Sequence, residues 1–182
     1  MTDFIKESEL IADVKIVTLG EFEDERGAFS EIFRREWFPE VSWDKLQSNR
    51  SKSKTNVLRG LHYHFNQVDY WHVPQGIIRA ALLDLRPNSP TFKQTQTINM
   101  GGDNNIGLFI PIGVAHGFYA VTDCTLIYYV NNYYDNSDEF GVQWDDPDFA
   151  IDWGNQDDIP LISERDQANP SFANIPSDIM PK

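Results

Sequence analysis

A single cysteine, Cys124, leaves this 182-residue chain without a partner for an internal disulfide. That excludes a disulfide-stapled scaffold and points to a reducing compartment, the cytoplasm. Basic residues are also scarce: 15 Lys and Arg stand against 28 Asp and Glu, a formal charge of −13. So acidic a body repels a polyphosphate backbone, which excludes nucleic acid as a partner. No apolar run approaches the length of a membrane span, and the opening MTDFIKESEL has no basic segment followed by an apolar one. Neither a membrane nor a secretory signal is therefore expected. Repeats, low-complexity tracts and linkers are missing too, so residues 1–182 read as one domain. Apolar periodicity of 3.6 residues is nowhere sustained; Ser8–Asp13 and Trp43–Leu46 offer a helical turn or two at most.

What the chain does have is aromatic residues, with five Trp, seven Tyr and twelve Phe, which suit pleated, half-buried surfaces. Short β-branched or aromatic runs recur at Val14–Leu19, Phe29–Phe33, Gly76–Leu85, Leu108–Ile112, Gly117–Val121 and Thr125–Tyr129. Turn clusters such as Arg86-Pro87-Asn88-Ser89-Pro90 and Gly101-Gly102-Asp103-Asn104-Asn105 punctuate them. Short strands divided by turns predict a mainly β sandwich or barrel. The polar, proline-bearing tail 163–182 reads as a wrap over that barrel rather than a further strand.

Chemistry-bearing residues concentrate in two places. Arg59-Gly60-Leu61-His62-Tyr63-His64 is followed by Asp69 and Gly76, and Pro111-Ile112-Gly113-Val114-Ala115-His116 delivers a third histidine. In a strand, His62 and His64 would share a face, because side chains repeat every two residues. Arg50, Lys52, Lys54 and Arg59 form a local basic cluster able to reverse the field for one small anion.

These two segments resemble the paired motifs of the cupins, which implies a cupin-type jelly-roll barrel with a ligand in its mouth. Further stretches narrow the likeness. They are Asp24-Glu25-Arg26-Gly27-Ala28-Phe29 with Glu31, Gln47-Ser48-Asn49-Arg50-Ser51, Leu58-Arg59-Gly60-Leu61-His62, and Asp84-Leu85-Arg86 with Ser89-Pro90-Thr91-Phe92. Ala115-His116-Gly117-Phe118, Trp144-Asp145-Asp146-Pro147 with Ile151-Asp152-Trp153, and Leu161-Ile162-Ser163-Glu164-Arg165-Asp166 follow in order. The chain resembles the dTDP-4-dehydrorhamnose 3,5-epimerase family nearly end to end.

The resemblance implies an isomerase that inverts C3, C5 or both of a dTDP-linked 4-keto-6-deoxyhexose through an enolate. It makes His62 the base, Asp166 the carboxylate that orients it, and Tyr128 the acid on the opposite face. Tyr129 would face the other way, and Tyr133 and Tyr134 read as structural. Arg26 and Arg59 are implied as phosphate or sugar contacts, Gln47, Asn49 and His116 as sugar or diphosphate contacts, and Glu31 as a nucleotide-side contact. The Arg26–Glu31 segment would come from a partner subunit, so a homodimer is expected. No cofactor is implied.

Two positions differ from the family pattern: His64 stands where glutamine is common, and Asp69 where a lysine helps hold the enolate oxygen. An acid there repels an enolate unless it is protonated or on a metal. One alternative therefore makes His62, His64, Asp69 and His116 a metal set in a cupin isomerase or oxygenase. Another lets His64 or His72 polarise the ketone without metal, and a third is a non-catalytic sugar-nucleotide binding module.

Overall fold

The computed structural model describes residues 4–155 and 159–181. Thirteen strands among them form two facing sheets and one outlying hairpin. The first sheet takes the order β1 (Ile5–Glu7), β2 (Lys15–Thr18), β10 (Ile106–Ile110), β7 (Asp69–Gln75), β12 (Cys124–Val130) and β5 (Gln47–Ser53). The second runs β13 (Phe140–Gly141), β6 (Leu58–Tyr63), β11 (Val114–Ala120), β8 (Ile77–Asp84) and β9 (Thr95–Gly101). β3 (Phe22–Asp24) and β4 (Gly27–Phe29) make the separate hairpin. All pairings between these strands are antiparallel. The architecture is a cupin-type jelly roll.

The apolar runs become strands because alternate residues find a core. Ile78, Ala80 and Leu82 of β8 meet Trp71 and Val73 of β7 and Leu108 of β10 between the sheets, all buried. The opposite face of the second sheet, with Ala81, Leu83, Ala115 and Tyr119, is covered by Trp153 and Ile175. That alternation buries β8 on both faces, as a central strand requires. On the outer face of the first sheet, Phe38 and Trp43 cover Val17, Tyr70 and Phe109. Each large apolar side chain so buried contributes about 1.5–3 kcal/mol.

Several expectations are corrected. The run Phe29–Phe33 is a strand only at its first residue; Phe33 leaves the hairpin and stacks on Tyr129 with centroids 4.5 Å apart. Ser8–Asp13 and Trp43–Leu46 form bends and turns, not helix. The helical residues lie elsewhere, in α1 (Glu164–Gln167) and in single 3-10 turns at Arg35–Trp37, Asn136–Asp138 and Phe172–Asn174. β6 ends at Tyr63, so His64 sits just past the strand rather than in it. In the tail, α1 and the turn at Phe172–Asn174 carry Ile175, Phe172 and Met180 onto the second sheet.

Candidate active site

A cavity of about 570 Å³ opens where β5, β6, β7, β11 and β12 converge, within the range usual for a small-molecule site. β5 lines it although its sequence, Gln47-Ser48-Asn49-Arg50-Ser51-Lys52-Ser53, has no apolar residue. Gln47, Asn49 and Ser51 point inwards while Ser48, Arg50 and Lys52 face solvent. Arg59 also lines the cavity, its guanidinium held by the Ser53 hydroxyl at 3.0 Å.

His62 projects from β6, and its Nε2 lies 2.6 Å from Oδ1 of Asp166. The Gly60 amide donates to Oδ2 of the same carboxylate at 3.2 Å. Asp166 is set in place by a helix cap: the Ser163 hydroxyl accepts from its backbone N–H at 3.1 Å at the start of α1. Burial would raise the Asp166 pKa, but His62 and the Gly60 amide hold it below the ordinary carboxylate value. Close packing makes this possible. Gly60 has φ 118°, and a Cβ there would stand 2.6 Å from the Cα of Gly117 on β11. Any larger residue would push apart the two strands that carry His62 and His116.

Tyr128 of β12 lines the cavity, and Tyr129 turns away onto Phe33. Burial, with Asp69 and Glu139 nearby, raises the Tyr128 pKa, so the phenol keeps its proton. The ring nitrogen of His62 not held by Asp166 is 3.9 Å from Glu139. Arg165 binds that glutamate at 2.8 Å and, against the effect of burial, keeps its pKa low.

A second polar group lies deeper. Asp69, the first residue of β7, is 3.2 Å from Nε2 of His116 on β11. Burial opposes charge on both, yet the contact lowers the Asp69 pKa and raises that of His116. His64 has its pKa lowered, chiefly by burial. Potential ligand atoms of His64, Asp69 and His116 fall within 4.8 Å of one another. His62 is not in this group, so the four-residue metal set of the alternative reading narrows to three.

The structure thus brings His62, Tyr128, Asp166, Gln47, Asn49, Arg59 and His116 to one cavity. Arg26 and Glu31 do not line it: Arg26 is 84% exposed and binds Asp24, and Glu31 binds Arg34. His72 is buried but is not a lining residue, so it cannot polarise a ketone there. Tyr134, read as structural, lines the mouth. Sequence reasoning missed Glu139, Arg165 and Gln67. Only Gln67 left a signal, its spacing of two residues from Asp69.

A sequence model of the family described as dTDP-4-dehydrorhamnose 3,5-epimerase matches residues 8–174. The dTDP-4-dehydrorhamnose 3,5-epimerase of Shigella flexneri is 36% identical over 171 residues, 90% of this chain and 93% of that protein. A crystal structure of a dTDP-6-deoxy-D-glucose-3,5-epimerase from Legionella pneumophila, in complex with dTDP-4-keto-L-rhamnose, matches with a TM-score of 0.90 and 32% identity. It covers 98% of this chain and 97% of that one. A 3′-monoepimerase from Streptomyces bikiniensis in complex with dTDP-quinovose matches with a TM-score of 0.83 and 31% identity, over 90% and 85% of the two chains.

Proposed function

The chain belongs to the dTDP-4-dehydrorhamnose 3,5-epimerase family, and from that premise we propose that His62 and Tyr128 invert the sugar by proton transfer on opposite faces. It is an epimerase of nucleotide-linked deoxysugars. Its substrate is a dTDP-linked 4-keto-6-deoxyhexose, inverted at C3, C5 or both. The observation that carries the residue assignment is the His62–Asp166 pair at 2.6 Å, at the wall of a cavity that Tyr128 also lines.

A C4 ketone acidifies the hydrogens on C3 and C5. The imidazole nitrogen not held by Asp166 takes one of them. Asp166 fixes the tautomer and stabilises the imidazolium that forms. The protonated Tyr128 phenol returns a proton from the other face. Arg59 supplies positive charge for a diphosphate, and Gln47 and Asn49 supply polar contacts to sugar or diphosphate, whereas both ring nitrogens of His116 are engaged by Val114 and Asp69.

The working unit is a single-domain protomer, 1–182, in a cytoplasmic homodimer. Phe22 and Phe29 support the dimer: they face each other across the β3–β4 hairpin yet are 70% and 69% exposed. Arg26 caps that hairpin, and a partner's cavity is where Arg26 and Glu31 would meet nucleotide. No helix among the described residues is long and apolar enough to cross a membrane.

Proton NMR of dTDP-4-keto-6-deoxyglucose in D₂O tests the reading. Deuterium entering at C3 or C5, and ceasing with His62→Ala, is the expected result, and the labelled position names the inverted carbon. Tight substrate binding with no exchange at either carbon would leave a binding module instead.

A further inference from the structure

The cavity floor holds a group of side chains that proton transfer by His62 and Tyr128 does not use. His64, Asp69 and His116 turn towards one another, with potential ligand atoms within 4.8 Å. Both rings are oriented by backbone carbonyls. His64 Nδ1 donates to Asp138 at 2.7 Å, and His116 Nδ1 donates to Val114 at 3.0 Å. Each ring therefore turns its Nε2 inwards, away from the backbone. His116 Nε2 meets Oδ2 of Asp69, and the Gln67 amide lies 3.3 Å from His64 Nε2 and 2.9 Å from Oδ1 of Asp69.

Counting donors shows what the arrangement wants. Two neutral imidazoles with Nδ1–H committed present lone pairs, and a carboxylate presents only acceptors. Directed at one point in a buried site, they need donors or a positive charge between them; the Gln67 amide serves His64 Nε2 and Oδ1 of Asp69, which leaves His116 Nε2 against Oδ2 of Asp69 for a cation to bridge. A proton is the minimal such charge. A metal ion is the other kind, and the surroundings suit one. The carbonyl on the far nitrogen of each histidine is the usual support of a metal-bound imidazole. The cavity gives open access on the remaining side.

Among the described residues, no lysine lines the cavity. Arg59 is held by Ser53 and Arg165 by Glu139.

We propose that His64 Nε2, His116 Nε2 and Asp69 bind one divalent first-row transition ion, separately from the His62–Asp166 pair. Two imidazoles and one carboxylate suit Zn²⁺, Co²⁺, Ni²⁺ or Fe²⁺ rather than the all-oxygen cages of Mg²⁺ and Ca²⁺. Bound there, such an ion supplies Lewis-acid character beside a substrate ketone. That role rests on the epimerase reading; ion binding itself does not. Keeping His62 out of the set leaves a free base and a cation in the same cavity.

The test uses full-length, untagged protein, freed of metal by chelator and checked for native circular dichroism. Titration with Co²⁺, followed by visible d–d absorption, and with Zn²⁺, followed by calorimetry, is expected to reach one equivalent per chain. Asp69→Asn and His64→Gln are expected to weaken binding by about 100-fold or more, since each removes a ligand. His62→Asn is expected to bind as the unsubstituted protein does. No uptake by the natively folded wild-type chain would overturn the proposal, whatever the variants do. So would loss of binding in His62→Asn, or retention in a folded Asp69→Asn. Failure of the epimerase reading looks different: the ion is bound, but no deuterium enters the sugar. Exchange by protein that takes up no ion would sink only the metal site.

Discussion

His62 on β6 and His116 on β11 are paired residues in adjacent strands, yet their rings answer to different carboxylates. His62 lies 2.6 Å from Asp166, which α1 brings in from the tail, and His116 lies 3.2 Å from Asp69 of β7 in the facing sheet. Two histidines in register thus belong to two groups, one suited to moving protons and one to holding positive charge.

Removing the base should stop the chemistry without unfolding the protein. His62→Ala is expected to lower the rate of solvent exchange by about 10²–10⁴-fold, the usual worth of a general base. Asp166→Asn should cost less, because the imidazole remains. Single-turnover exchange rates measured beside thermal unfolding separate this from a folding defect. Equal rates in wild type and His62→Ala would remove His62 from its role.

Neighbouring tyrosines should behave oppositely. Tyr128→Phe is expected to lower kcat with little change in the affinity for dTDP, since the phenol proton is lost and the ring is kept. Tyr129→Ala should leave kcat intact and destabilise the fold, losing at least the ~0.5–1.5 kcal/mol of its stacking on Phe33. Urea unfolding and steady-state kinetics on both variants decide; the reverse pattern would mean that the strand register is misassigned.

Charging the exposed hairpin should break the dimer. Phe22→Glu with Phe29→Glu is expected to shift the chain from dimer to monomer in sedimentation velocity and to raise KM, because Arg26 and Glu31 no longer reach a partner. A wild-type chain that sediments as a monomer at micromolar concentration rules the dimer out.

Acid sensitivity should trace to Asp84. This fully buried carboxylate accepts from the Arg86 amide and guanidinium, from Ser89 and from Thr91. Burial raises its pKa, but those donors outweigh burial and hold it below the ordinary value. A depressed folded-state pKa contributes stability above the unfolded value of about 3.9, and that stability is lost as pH falls through the folded one. Asp84→Asn should therefore destabilise the protein at pH 7, by about 3 kcal/mol if it behaves as other broken buried ion pairs do. It should also flatten the fall of Tm below about pH 4. Parallel acid limbs in the two proteins would assign the effect to another carboxylate.

The sequence by itself determined the strands that carry their own apolar alternation. β8 falls inside the run Gly76–Leu85, and β12 nearly coincides with Thr125–Tyr129, because a strand between two cores must be apolar on both faces. Resemblance to the family in motif order also singles out His62, Tyr128 and Asp166, which the fold brings to one cavity.

Tertiary structure decided the rest. β5 has no apolar residue and is a strand only because β12 supplies its hydrogen-bond partners, so no local pattern could announce it. Phe33 left its apolar run because Tyr129, far along the chain, offered a better surface. The division of the histidines was equally invisible in one dimension. Side-chain alternation tells which face of a strand a ring occupies. Which carboxylate lies against it depends on how distant parts of the chain fold together, as between His62 and Asp166, 104 positions apart.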